Sequence, residues 1–398
     1  MTAMNRRSFV RGAAAGAAAL GLARFPAPAL AQAKTVKVGA VLELSGFLDL
    51  FGRQARIGLD LAAAEINAGG GIGGRKLELL YEDNKTDPKT AADRTRKLVQ
   101  QDGAIAVAGP IASNSRVAMI PVLEREKRLL LYATNYEGAD EQGKGCGKQL
   151  FFFNTVPNQD VGPLMQHIDA QKLGRSFYMF GANYNWPRNM FRAAKDVMQK
   201  TGAKAVGEDY TPFGVADFTS TIRKIADSGA EVLLFALPGS DGVTFIKQAE
   251  EFGLLKKVKV AFLGFSETYL GAFGKGQGEG MYVCVPFVSS ADEPQVKDFV
   301  ARVKKQAPDA PGISHYVMTH YNALMALKAG LEKTKKFDAA GGADGMAGLA
   351  MKIPTGEMRI GKQDHHVALP MYIGRTEGGA LKVVQKLGVI EPVSGCKA

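Results

Sequence analysis

The sequence predicts an α/β protein made of two doubly wound, Rossmann-like lobes joined by a multi-segment hinge. Three observations predict it. Short apolar, β-rich runs alternate with amphipathic helical stretches from residue 34 onward, as they do where helices cover a parallel sheet. The beat runs twice, interrupted by a Gly/Lys loop at 143–147. Past Pro286 it breaks into two helices and then three antiparallel strands, so the chain returns to each lobe after leaving it. At 398 residues and 46% hydrophobic composition, the chain is long and apolar enough to bury two cores of ordinary size.

The first residues stand apart from this rhythm. Asn5-Arg6-Arg7-Ser8-Phe9-Val10 sets a twin arginine ahead of the Ala/Gly/Leu run 12–22, and Ala31-Gln32-Ala33 follows as a small-x-small site. The run is too short and too rich in Ala and Gly for a membrane span. Residues 1–33 therefore read as a Tat signal peptide cleaved near Ala33, with a mature protein in the periplasm. Removing it takes away Arg6, Arg7, Arg11 and Arg24 and no acid, lowering the formal charge from +11 to +7.

The remaining basic residues are scattered in pairs such as Lys256-Lys257 and Lys304-Lys305, without interleaved aromatics, so no nucleic acid is expected as a partner. Three cysteines, Cys146, Cys284 and Cys396, allow at most one bridge and leave one thiol over. No pairing is predicted.

In the first block 36–44 (VKVGAVLEL), 76–82 (KLELLYE), 104–109 (AIAVAG) and 128–133 (RLLLYA) have the continuous apolar character of buried parallel strands. Helices fill the gaps at 53–67, 89–101 and 113–127. In the second block strands at 175–180, 203–208, 231–237 and 258–265 alternate with helices at 160–172, 188–201, 217–228 and 241–252. An apolar strand (MYVCVPF) then leads into helices at 294–305 and 314–333 and strands at 357–362, 367–373 and 381–385. The predicted division is 34–154 with 286–353 as lobe I, and 155–285 with 354–398 as lobe II. In sheets of this kind the loops at the carboxyl ends of the strands bind ligands.

Catalytic and cofactor signatures are missing. None of the five histidines forms H-E-x-x-H; His315 and His320 lie five apart on a helix, and His365-His366 point to opposite faces of a predicted strand. There is no G-x-S-x-G, P-loop or Cys/His metal spacing. The reading is a non-enzyme without cofactor or metal. Gly69, Gly71 and Gly74 match G-x-G-x-x-G, but they follow a helix and precede a strand, the reverse of a dinucleotide loop. They read as a left-handed cap and a tight return. By contrast 109–116 (GPIASNSR) follows a strand and opens a helix, with Ser113 placed to cap it. Free N–H groups in such a first turn attract a carboxylate or an amide carbonyl. A cap without a ligand is the plainer alternative.

These landmarks, with Leu44-Ser45-Gly46, Glu65-Ile66-Asn67, Arg75 and 132–138 (YATNYEG), resemble the type I periplasmic solute-binding proteins of ABC importers, in particular the leucine/isoleucine/valine-binding family. Pro157-Asn158-Gln159, 183–188 (NYNWPR), 207–212 (GEDYTP) and 356–360 (GEMRI) with His365-His366 resemble its amide- and urea-binding branch.

The resemblance implies a receptor for a small polar solute, a branched-chain amino acid, amide or urea-like compound, working as a monomer with an inner-membrane ABC permease. A sensor of the same fold is the alternative. It also implies a site. Ser113, the backbone at Ala133 and the Thr134 side chain would hold the head group, and Phe51 falls at an aromatic lid position. Tyr184 would close over the ligand beside Gly239, Ser240 and Asp241, and Glu267 would pair with an ammonium. Tyr132 suits a neutral amide, Trp186 stands beside the cleft, and Ile111 departs from the polar or aromatic residue of the amide branch. Rivals are a core ring for Phe51 and Tyr184 and a helix N-terminal acid for Glu267. Zwitterion and neutral amide both stay open.

Overall fold

The computed structural model describes residues 35–138 and 146–396; the expected leader at 1–33 lies outside them. Lobe I opens with β1 (Val36–Leu42), α1 (Asp49–Ala68), β2 (Leu77–Asp83) and α2 (Pro88–Arg96), the last continued by a π-helical turn at Lys97–Gln101. β3 (Ala106–Ala108), α3 (Ser113–Arg125), β4 (Leu129–Tyr132) and β5 (Leu150–Phe152) follow. These strands pair in the order β2-β1-β3-β4-β5, all parallel.

Lobe II repeats the plan. α4 (Val161–Ala170), β6 (Ser176–Ala182), α5 (Asn185–Thr201), β7 (Lys204–Thr211), α6 (Thr219–Asp227), β8 (Val232–Ala236) and α7 (Ser240–Glu251) lead on to α8 (Leu254–Lys257), β9 (Lys259–Phe262), α9 (Thr268–Ala272) and β10 (Tyr282–Val285). The chain then crosses back to place α10 (Pro294–Gln306), α11 (His315–Thr334) and α12 (Ala339–Met346) against lobe I. It ends with β11 (Ala350–Ile353), β12 (Gly356–Ile360), β13 (Val367–Glu377) and β14 (Ala380–Ile390). The second sheet runs β11-β12-β13-β10-β9-β8-β6-β7, with β14 beside β13. Ala350–Ile353 thus joins the second sheet, although the predicted division places it in lobe I. Its pairing with β12 through a two-residue turn decides the matter.

Both lobes have their strand order reversing direction at one place, between β1 and β3 and again between β6 and β8. At such a switch point the following helices lie on opposite faces of the sheet and leave a crevice. The two crevices face each other. The crossing segments lie at 153–160, 286–293 and 347–349, and β5, which leads into the first, is stapled to the last part of the chain by a backbone hydrogen bond and stacked rings. Phe152 N–H donates to the His365 carbonyl at 3.0 Å. The His366 ring stacks on Phe152 at 4.2 Å and the His365 ring on Phe151 at 4.1 Å.

The Gly69–Gly74 connector joins α1 to β2, and its detail differs from expectation. Gly69 itself has φ −79°, whereas Gly70, Gly71, Gly73 and Gly74 carry the positive φ values that the return requires. Cys146 and Cys396 form a disulfide that no sequence signal selected, closing a separation of 250 residues; Cys284 stays free and buried. Among the described residues no helix is long and apolar enough to cross a membrane.

Candidate functional site

Where the two switch points meet, a cavity lies between the lobes. Lobe I supplies Leu48, Phe51, Ile111, Thr134, Asn135 and Tyr316. Lobe II supplies Tyr184, Trp186, Pro238 and Gly264. Eight of these ten follow the carboxyl end of a strand within six residues, while Phe51 and Tyr316 reach in from α1 and α11. The volume is about 20 Å³, room for about one water molecule. This is a closed arrangement. Phe47 of lobe I stacks on Phe213 of lobe II at 5.7 Å, and Phe213 meets Tyr184 at 5.5 Å. The Phe47 carbonyl accepts the Ser240 N–H at 3.4 Å.

Most polar side chains of the lobe I wall are bonded within the lobe. Ser113 is the first helical residue of α3 and does not cap it, contrary to expectation: the N-cap is Ala112, without a side-chain bond. Glu43, fully buried at the end of β1, takes the capping role from a distance in sequence. Its Oε2 accepts the Ile111 N–H at 2.7 Å and its Oε1 the Ala112 N–H at 3.1 Å. Burial pushes the Glu43 carboxyl up, while these N–H groups pull it down. The Ser113 Oγ is buried and has no partner among the described residues.

The loop before α3 is held twice more, by Tyr132, whose hydroxyl donates to the Ile111 carbonyl, and by Thr134, whose hydroxyl donates to the Pro110 carbonyl, both at 3.2 Å. The Ala133 carbonyl accepts from Asn154 and Thr319. Asn135 gives its amide N–H groups to Thr155 and Asp160, and its Oδ1 accepts the Tyr316 hydroxyl and lies 3.1 Å from His315 Nε2.

On the other side Trp186, in the first turn of α5, is 5% exposed, and its Nε1 has no hydrogen-bond partner among the described residues. Gly239 has φ +77° and ψ −155°, and its N–H donates to the Tyr269 hydroxyl at 2.9 Å. Asp241 is buried but accepts from the Gly214 N–H at 2.7 Å, and Ser240 is exposed. Glu267 is not brought to this cavity. Its carboxylate accepts from the Ser289 hydroxyl at 2.7 Å and N–H at 3.2 Å, and it lines a separate cleft with Lys304 and Gly312.

Burial pushes the Glu267 carboxyl up to about 8 from its ordinary 4.5. The folded protein therefore keeps a proton there that the unfolded chain has released above about pH 4.5. Stability on this account is full below the unfolded value and falls as pH rises towards 8, by up to about 1.4 kcal/mol per pH unit. The buried His315, held down at about 3, and His320, at about 4, act in the opposite sense only below about 6.5. Urea midpoints should therefore fall between pH 7 and 8 in the wild type and stay level in Glu267→Gln. A parallel fall in both proteins would refute the assignment.

Of the residues expected at the site, the structure brings together Phe51, Ile111, Thr134, Tyr184 and Trp186 around the cavity. Ser113, Tyr132 and Ala133 stand behind its wall, Gly239 and Ser240 meet Phe47 at its rim, and Asp241 and Glu267 face elsewhere. The sequence reading missed Leu48, Asn135, Pro238, Gly264 and Tyr316. Asn135, Pro238 and Gly264 had a usable signal, their place two or three residues beyond a strand. Tyr316 had none. Among the described residues no group of three or more His, Cys, Asp or Glu could hold a metal ion.

The profile of the family described as periplasmic binding protein matches residues 35–380. The Leu/Ile/Val-binding protein of Escherichia coli K12 is 28% identical over 314 residues, covering 77% of this chain and 81% of that protein. A leucine-, isoleucine-, valine-, threonine- and alanine-binding protein of Pseudomonas aeruginosa is 23% identical, over 86% and 89%.

In fold the chain is similar to an R. palustris ABC-transporter solute-binding protein solved with 4-hydroxybenzoate, with a TM-score of 0.81 at 21% identity, covering 90% and 98% of the two chains. It is also similar to a branched-chain amino acid transporter substrate-binding protein of Streptococcus pneumoniae solved with isoleucine, with a TM-score of 0.78 at 21% identity, over 90% and 100%.

Proposed function

We propose, from the premise that the chain belongs to the periplasmic binding protein family, that it is the extracytoplasmic receptor of an ABC importer. It captures a small polar solute, an amino acid or an amide- or urea-like compound, between its lobes and presents it to an inner-membrane permease. Residues 1–33 are its Tat leader, and the mature protein is a periplasmic monomer. One observation carries the reading: the Trp186 ring lines a cavity built by both lobes, and its buried Nε1–H has no partner among the described residues. An unmet buried N–H costs about 1–3 kcal/mol, which a bound acceptor removes. Closure around a solute stabilises only through contacts that the open state lacks, and the Phe47 contacts to Phe213 and Ser240 are of that kind. No catalytic step is needed, and nothing observed favours a sensor without a transporter.

Isothermal titration of the mature chain against amino acids, amides and urea tests this. One solute should bind with one-to-one stoichiometry, and Trp186→Phe should weaken it by about 1 kcal/mol, roughly fivefold. Equal binding by Trp186→Phe would remove the indole from the site, and no heat with any of the panel would sink the receptor reading.

A further inference from the structure

The cavity wall offers a solute few hydrogen bonds and no ionised side chain among the described residues. Asn135 and Tyr316 are bonded to each other and to neighbours behind them, and the Thr134 hydroxyl donates to Pro110. The two N–H groups that lead into α3, on Ile111 and Ala112, form a pair that a carboxylate can bridge. Both already bond to Glu43. Two buried side-chain groups here have no partner among the described residues, the Nε1–H of Trp186, whose ring lines the cavity, and the Ser113 Oγ in the first turn of α3. A carboxylate entering here would lose its hydration and meet no counter-charge, with the Glu43 carboxyl held on the Ile111 and Ala112 N–H groups behind the wall. That exchange is unfavourable. A neutral carbonyl needs only a single donor.

Resting on the receptor reading above, we propose that Glu43 sets the charge of the ligand. By holding the Ile111 and Ala112 N–H groups it occupies the place a solute carboxylate would take, so that the cavity accepts uncharged hydrogen-bond acceptors and rejects carboxylates and zwitterions. The displacement of Glu267 to its own cleft with Ser289 works in the same direction, since it leaves no acid in the cavity to receive an ammonium. Glu43 is thus a specificity residue rather than a ligand contact.

The test uses the fluorescence of Trp186, the one tryptophan of the sequence. Wild type, Glu43→Gln and Glu43→Ala are titrated with two matched pairs, isobutyramide against isobutyrate and benzamide against benzoate, and with L-valine. In the wild type at least one amide should bind about tenfold or more tighter than its carboxylate and than valine. Glu43→Gln, which cannot accept both N–H groups, should shrink that ratio about tenfold, and Glu43→Ala further; Glu43→Gln carries the test if the alanine variant does not fold. A carboxylate or valine binding the wild type as tightly as the amides overturns the proposal and leaves the receptor reading standing, as does a ratio unmoved by Glu43→Gln. An indole silent to every compound in all three proteins overturns both.

Discussion

Glu137→Gln is expected to lower the unfolding free energy by about 3–5 kcal/mol, the usual cost of leaving one charge of a buried pair alone. Arg116 on α3 and Glu137 in the loop after β4 form a two-point ion pair at 2.7 and 3.1 Å, and the side chains are only 4% and 5% exposed. The guanidinium lies over two rings as well, 4.8 Å from Tyr132 and 4.4 Å from Tyr136. Gln keeps the shape but not the charge, so the cation would be left buried among aromatic faces. Urea denaturation at pH 7 measures the loss. The double variant Arg116→Met/Glu137→Leu should recover most of it, because two apolar groups of similar volume need no pairing. A loss under about 1 kcal/mol for the single variant would mean that water reaches the pair, as at an exposed site.

Gly239→Ala is expected to hold the lobes apart. Its φ of +77° with ψ of −155° is a conformation that essentially only glycine adopts, and an added Cβ would stand 2.0 Å from the Phe47 carbonyl oxygen across the cleft. The backbone strain, of order 1–3 kcal/mol, acts in either state of the hinge. The collision exists only when the cleft is shut, since Phe47 and Gly239 belong to different lobes. Solute affinity should therefore fall about tenfold or more, a factor that 1.4 kcal/mol produces. Small-angle scattering at saturating solute should give a larger radius of gyration than the wild type. Wild-type affinity with unchanged dimensions would show that this contact is not part of closure.

How much could be read from the chain differs between scaffold and site. The long elements were legible because local pattern reports them directly: α1 and α5 each bury a recurring apolar stripe, and β4 and β8 are short runs dominated by apolar residues. Short pieces were not. β5 is three residues beside a loop, and α8 and α9 are four and five residues long, too short for a period to show. Around the cavity, position beyond a strand end matches the placement of Ile111, Thr134, Tyr184 and Trp186. It was no guide to direction: Tyr132 turns to Ile111 and Arg116, and Glu267 swings to Ser289.

The sequence by itself determined the α/β class, the two repeats of strand and helix, the reversed glycine connector and the lobe-crossing course of the tail, all of which follow from local pattern and turn chemistry. Only the tertiary structure decided which polar groups meet. Glu43 caps a helix that starts 70 residues later, Tyr316 reaches the cavity from α11, and Cys146 finds Cys396 across 250 residues. The reason is physical. A period is set by a residue's neighbours in the chain, whereas the partner of a buried donor or acceptor is set by which elements pack against it, and each such group must find one there or remain open to a ligand.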